Sequence, residues 1–365
     1  MKSKLLRAAI VFWGVLLALL LGLLILSLTG VIHMSSFANT RFVPAELIRE
    51  DTFDLRELSG LTIRGRAEGI HVNLVSGDMM AVRQYGNPRK DASFTDERTA
   101  ASGGPALTLK IPNKSWFNWF NWGEKRLEID LPASYAGDLK LSTVSGAVNC
   151  PGGFEVRTLA LSSTSGRITL GASTADHLTL DTVSGGISME NVTVVGDVEL
   201  DTTSGAIRAG DIRANNVKLD SVSGSIHAGT VALEGRAVIG TTSGSVRIGA
   251  LSCRDYDIGS VSGRLSVETV LSGCGRLHTT SGGISAAGVA LTGALTASTV
   301  SGSVTLSLAP GQNCDLQLSS TSGGLHGNVP LNYSGSRKHS ATATVGAGGP
   351  LLSVSTTSGG ITVNQ

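Results

Sequence analysis

The residues best suited to making contacts sit in one short stretch. Trp116, Trp119 and Trp122 are three of the four tryptophans of the chain; Phe117 and Phe120 lie between them, with Lys114, Lys125 and Arg126 on the flanks. Indole rings at three-residue spacing beside cations suit a membrane headgroup layer. They also suit a sugar-stacking or protein-binding tip, because large rings dominate contact energetics. A third reading is internal: the stretch folds over an open end of a β structure as an apolar plug. Other residues of catalytic type do not fall in catalytic patterns. The seven His make no His-Glu-x-x-His pair, and Gly-x-Ser-x-Gly, P-loop and helix-opening Gly-x-Gly-x-x-Gly motifs are absent. No enzyme activity, cofactor or metal is expected.

What positions the tryptophan stretch is a repeat. Ser-Gly preceded by Ser or Thr two residues earlier occurs at Ser145, Ser165, Ser184, Ser204, Ser223, Ser243, Ser262, Ser281, Ser301, Ser322 and Ser358. Most steps are 19 or 20 residues, the sequence signature of a solenoid. Aligned on that Ser, an apolar residue stands four before it (Leu141, Leu161, Leu180, Leu200) and three after it (Val148, Ile168, Ile187, Ile207). Each repeat therefore reads as two short strands joined at a Ser-Gly bend, where Gly supplies permissive backbone angles. The bend Ser and the Ser or Thr two before it share inward parity and are expected to form buried hydroxyl ladders. Asp181, Asp201 and Asp220 share an outward column. Clustered carboxylates suit a hard cation, but a solvated face is the reading adopted.

The residue before each bend Ser alternates: Val144, Thr164, Val183, Thr203, Val222, Thr242, Val261, Thr280, Val300, Thr321. If like stacks on like, two repeats form one 39-residue coil, and that reading is preferred over a 20-residue coil. The longer coil makes Cys274 and Cys314 neighbours and a candidate disulfide; the shorter one pairs Cys253 with Cys274. The plain alternative is that the four Cys are small buried hydrophobes.

Composition agrees with a β-repeat. Of 365 residues 47 are Gly, aromatics are 4%, charged residues 16% and apolar residues 41%. That is too apolar for disorder and too poor in rings for an ordinary large core. A net charge of +1 provides no field for nucleic acid. Lys2, Lys4 and Arg7 precede an uncharged run from Ala8 to Leu28, long enough to span about 30 Å as a helix. No Ala-x-Ala-like site follows, so an uncleaved single-pass anchor is expected, with the rest of the chain extracytoplasmic.

The organisation expected is a cytoplasmic segment (1–7), a transmembrane helix (8–29), a tether with a short helix in Pro44–Glu50 (30–52), a β cap carrying the tryptophan insert (53–138), an all-β parallel solenoid (139–328), and an insertion with closing strands (329–365). Strands are expected at Leu58–Gly65, Ile70–Ser76, Met79–Tyr85, Ala106–Ile111 and Leu127–Leu131, with Gly86–Pro105 a loop.

The anchor, the Leu127–Pro132 run, the repeated Thr-[Val/Thr]-Ser-Gly and the closing Thr356–Val363 (TTSGGITV) resemble the bacterial putative-adhesin family, the toast-rack β-repeat proteins. The resemblance covers residues from about 53 onward. It implies a non-enzymatic adhesion, scaffold or envelope-sensing module at the cell membrane, with an envelope protein or a glycan as partner. It transfers no site residues and does not include the tryptophan insert. A glycan-binding or polysaccharide-cleaving β-helix is the alternative, favoured if Asp, Arg and His cluster in a groove. Membrane contact by the insert makes a direct prediction: changing Trp116, Trp119 and Trp122 to Ala lowers liposome binding of the domain, and unchanged binding removes that reading.

Overall fold

The computed structural model describes residues 45–88, 91–101, 104–112, 124–336 and 338–365. They belong to one unit, Ala45–Gln365. The apolar run at 8–29 and the tryptophans at 116, 119 and 122 lie outside the described residues, as do Phe117 and Phe120. Among the described residues every regular element is a β-strand.

The architecture is a parallel β-solenoid whose coil is one repeat long. Asp138–Thr143, Glu155–Ser163, Ser173–Thr182, Asp197–Thr202, Asn216–Ser221 and Arg236–Thr241 stack in parallel as first strands, Leu161 on Leu180, Leu200, Leu219 and Ile239. After the bend, second strands stack Ile168 on Ile187, Ile207, Ile226 and Val246. A third ladder, not expected from the repeat, runs through Val192, Ile212, Val231, Leu251, Val270 and Val289. These side chains are almost entirely buried, at about 1.5–3 kcal/mol of transfer free energy each. One-residue slips would turn each ladder outward, so burial fixes the register.

The 39-residue coil is therefore wrong. Ser163 lies opposite Thr143 on one side and Thr182 on the other. Val and Thr before the bend alternate up a single column. Val144, Val183, Val222, Val261 and Val300 are each about half exposed there, so burial does not require like to stack on like. The Cys274–Cys314 pairing falls with that coil. Cys274 lies opposite Asp255, whereas Cys314 opens a strand separated from it by the strands Leu295–Thr299 and Leu351–Thr356. All four cysteines are free, and Cys253 faces Ser272 rather than Cys274.

The bend works differently from the expectation in two respects. The bend Ser is exposed; only the hydroxyl two residues before it is buried. That hydroxyl joins two rungs. Ser221 Oγ donates to the Gly205 carbonyl of the preceding rung at 3.1 Å and accepts from Gly224 N–H of its own bend at 2.8 Å. Ser163, Thr182, Thr202, Thr241 and Ser260 repeat both bonds. Nor is the bend Gly chosen for a left-handed backbone: Gly146, Gly166, Gly205 and Gly224 are not among the positive-φ glycines. It is chosen for closeness. A Cβ on Gly224 would lie 1.7 Å from the Gly205 carbonyl oxygen.

Both ends of the stack contain a rung out of sequence order. Gly60–Arg64 and Gly69–Val75 lie between the rung of Asp138–Thr143 and Val148–Cys150 and that of Gly104–Lys110 and Arg126–Pro132. This first rung lacks Ser-Gly. The buried Glu68 carboxylate instead accepts Arg66 and Ala67 N–H. At the other end, Leu351–Thr356 and Ile361–Asn364 are inserted between the rung of Leu295–Thr299 and Val304–Leu308 and that of Cys314–Ser320 and Leu325–Gly327.

Antiparallel strands cover the outer edges. Thr95–Ala101, in the expected loop, pairs with Gly104–Lys110. Met79–Gly86 pairs with Arg126–Pro132, and Glu46–Asp54, a strand where a short helix was expected, pairs with Met79–Gly86. Ser340–Val345 covers Cys314–Ser320. Phe53, Met80 and Phe94 are buried at the first of these ends.

Two hydroxyls two residues apart should thus differ sharply. Ser221→Ala strands the Gly205 carbonyl and Gly224 N–H and is expected to lower unfolding free energy by about 1–3 kcal/mol. Ser223→Ala is expected to change it by less than about 0.5 kcal/mol. Gly224→Ala should match or exceed the larger loss. Chemical denaturation of the three variants checks the order.

Candidate binding face

The outward columns of the first strands carry the polar chemistry. Because the strands are parallel and in register, residues at one repeat position form a column with a rise of about 4.8 Å per rung. In the column three before the bend Ser, Asp181, Asp201 and Asp220 occupy consecutive rungs. They line a shallow groove of about 250 Å³ with Thr203, Val222 and Thr242. The preferred 39-residue coil had separated Asp201 from the other two; the structure brings all three together.

One cation serves the acidic stretch. Lys218 Nζ lies 2.6 Å from Glu199 Oε1 and 3.1 Å from Asp201 Oδ2. The Lys218 hydrogen bond pulls the Glu199 pKa down. Asp201 is held above the ordinary carboxylate value by burial, with the neighbouring Glu199 adding to the rise and Lys218 opposing it. Lys218 itself is shifted upward by the two carboxylates. Among the described residues, no group of three His, Cys, Asp or Glu could hold a metal ion.

Farther along, the same column loses its side chains at Gly240 and Gly259, then presents His278. The imidazole lies across Gly259, where a Cβ would stand 2.4 Å from the ring. His278 Nδ1 is 3.3 Å from Asp257 Oδ1, and Arg236 approaches the other Asp257 oxygen at 3.9 Å. Beside them is a groove of about 370 Å³ lined by Arg236, Asp255, Asp257, Cys274 and Arg276. Tyr256, Gly275 and Ala294 complete its lining. The Tyr256 ring fills the space over Gly275, where a Cβ would come within 2.0 Å of it. Two guanidinium groups, two carboxylates and an imidazole offer donors and acceptors without a dominant charge, which suits a polyhydroxyl or peptide surface.

His278 belongs to no histidine motif in the sequence, and Arg236, Asp255, Asp257 and Arg276 fall in no catalytic or binding motif. Aligning positions five and seven before the bend Ser would have collected them. The cations after the tryptophan stretch are already engaged: Lys125 Nζ pairs with Asp91 at 2.7 Å, and Arg126 stacks on Tyr85 and pairs with Glu128 at 2.8 Å. Three cysteines are buried, and burial pushes the thiol of Cys150 up to about 12 and that of Cys253 up to about 11, with Cys314 also raised. Cys274 is exposed.

The family model described as Toastrack DUF4097 matches residues 87–209 and 172–364. Among solved structures, a putative adhesin from Parabacteroides distasonis is 13% identical, covering 70% of this chain and 97% of its own, at a TM-score of 0.40. A putative lipid binding protein from the same organism is 15% identical, covering 86% and 96%, at 0.38. A putative cell adhesion protein from Clostridium sporogenes is 10% identical, covering 88% and 100%, at 0.21. Scores this low do not bear on what this chain binds. No curated protein matches significantly.

The acidic column makes a pH prediction. A carboxyl whose pKa is raised on folding favours the folded state when protonated, so its contribution weakens as pH rises from the unfolded toward the folded value. Asp201→Asn is expected to raise the melting temperature at neutral pH and to flatten its dependence on pH above the ordinary aspartate value of about 4. A lowered melting temperature would instead indicate that the ion pair with Lys218 outweighs the cost of burying the Asp201 charge.

Proposed function

Because this chain belongs to the Toastrack DUF4097 family, we propose that it is a membrane-anchored, extracytoplasmic, non-enzymatic scaffold of adhesin or envelope-sensing type. The observation that carries the proposal is the contrast between its two sides. The inward columns repeat nearly unchanged from rung to rung, while the outward columns pass from acidic to bare to mixed charge along one continuous face. Such a surface suits an extended partner, and the grooves on it are shallow. What supports the cell-membrane location is the length of the uncharged run from Ala8 to Leu28 and the basic residues before it. Among the described residues no helix is long and apolar enough to cross a membrane; the 8–29 run lies outside them.

A glycan-binding module is the second reading. It is favoured by the clustering of Arg236, Asp255, Asp257 and Arg276 in one groove, with His278 beside Asp257. Planar guanidinium and carboxylate groups can hydrogen-bond neighbouring sugar hydroxyls in pairs. This reading keeps the same location and changes the partner from protein to polysaccharide.

Cys274 provides the test of location. Its three companions are buried, so a membrane-impermeant maleimide should label intact cells, or spheroplasts, at Cys274, and Cys274→Ser should abolish the signal. Labelling only after lysis would overturn the extracytoplasmic assignment. Pull-down with the full-length protein, against the variant with Trp116, Trp119 and Trp122 changed to Ala, then reports whether the tryptophan stretch or the strand face recruits the partner.

A further inference from the structure

The rung of Leu351–Thr356 and Ile361–Asn364 has the inward apolar pairs and the inter-rung hydroxyl bond of the stack but occupies a place that its sequence position does not dictate. Leu352, Val354, Ile361 and Val363 point inward and are buried. Thr356 Oγ1 donates to the Gly302 carbonyl of the rung before it in space, and Ser320 Oγ of the rung after it donates to the Gly359 carbonyl. A Cβ on Gly359 would lie 1.9 Å from Gly302 O, and one on Gly323 1.8 Å from Gly359 O. The slot therefore selects a rung with a small bend residue and a hydroxyl three before it. Outside the ladders, the rung's far end is held through Asn328, which exchanges two hydrogen bonds with Gln365.

The connection into this rung is short and constrained. Ser340–Val345 runs antiparallel along one side of Cys314–Ser320, and Leu351–Thr356 runs parallel along the other. Residues 346–350 alone carry the chain from one side to the other. Gly346 and Gly348 cross in the left-handed region, at φ +60° and +75°. The crossing is held at the strand's start, where Asn313 Oδ1 accepts Ala347 N–H at 3.0 Å and Asp315 Oδ2 accepts Gly349 N–H at 3.3 Å. Short hinges under constraint are where identical chains exchange elements, because a straightened hinge keeps all the inserted contacts and loses only the crossing.

Leaving the slot is also less costly than removing an ordinary core strand. The two rungs that flank it carry the same bend chemistry. Ser320 can address the Gly302 carbonyl as Thr356 does, and Leu318 and Leu325 can cover Ala297 and Val304, the residues that Val354 and Ile361 cover now. The vacated slot can close without leaving a ladder edge unpaired.

We propose that the rung 351–364 is an exchangeable element and that its partner is a second copy of this chain, each copy's rung filling the other's slot. The interface is the one already seen within the chain, with the same four ladders and the same Gly–hydroxyl bonds. Reciprocal exchange closes as a two-fold dimer. Only the hinge at 346–350 changes conformation. The proposal does not depend on the ligand or the location of the protein.

Ser298 and Ser355 face each other across the slot in register, and both are on the outward side. In a Cys274→Ser background, one full-length preparation carries Ser298→Cys and another Ser355→Cys. They are mixed, refolded together in detergent, and treated with a short bismaleimide. The expected result is an intermolecular cross-link between the two variants, increasing with protein concentration, while the double variant refolded at high dilution cross-links within one chain. The same mixing with Thr179→Cys and Glu199→Cys, neighbours in internal rungs, should give no intermolecular product. Deleting Gly348 and Gly349 shortens the crossing and should convert the protein to dimers in sedimentation. The proposal is overturned if the mixture never cross-links between chains although the double variant does so within one, if the internal pair cross-links equally, or if the shortened hinge leaves monomers.

Discussion

The structure depends on the close approach of one bend glycine to the next. Each bend carbonyl points at the glycine above it from so near that only a hydrogen fits, and the buried Ser or Thr oxygen beside it ties that carbonyl to the next bend. A parallel ladder leaves its chain turns as the weak points, where backbone polar groups would be buried unpaired. Here one hydroxyl satisfies an acceptor of the lower rung and a donor of its own rung. The bends stack as regularly as the strands, and the apolar ladders on either side remain in phase. The coil length, the uniform core and the straight outward columns all follow from that contact.

This explains which parts of the fold were legible in the sequence. Leu161, Leu180 and Leu200 recur because they are buried between identical neighbours, so their spacing reports the coil directly. Val144 and Thr164 recur at the same position but are half in solvent. Their alternation follows no packing rule, and reading it as like-on-like stacking gave a coil twice too long. The bend Ser misled in a similar way: it is as regular as the hydroxyl two residues earlier, but it faces water. Regularity alone does not distinguish a residue that the core selects from one that only accompanies it.

The out-of-order rungs were not legible for a different reason. Thr356–Val363 has the same pattern as every internal bend, because the slot asks for the same hydroxyl, glycine and apolar pair. Local sequence specifies that a segment is a rung; it does not specify which two rungs it separates. That choice is made by the connections, the five residues at 346–350 at one end and the long excursion between Val75 and Gly104 at the other. The groove beside Asp257 was missed on similar grounds. Its lining joins Arg236, Asp255 and Asp257 to Cys274, Arg276 and Ala294 on neighbouring rungs, residues that become neighbours only when the coil length is right.

A scaffold of this kind separates stability from recognition by geometry. Alternation along each strand sends successive side chains to opposite sides, so a change in an outward residue leaves the inward ladders intact. The column three before the bend shows the consequence. It passes from Ser142 and Ser162 through Asp181, Asp201 and Asp220, then Gly240 and Gly259, to His278 and Ser298, while the Leu or Ile one residue earlier hardly changes until Ala297. Charge, bareness and a titratable ring are thereby written along one line at steps of about 4.8 Å. A small molecule would sample one or two of those steps. A partner that reads the sequence of chemistries must lie along the rod and contact several rungs at once, which is the geometry of a polymer chain or an extended protein surface.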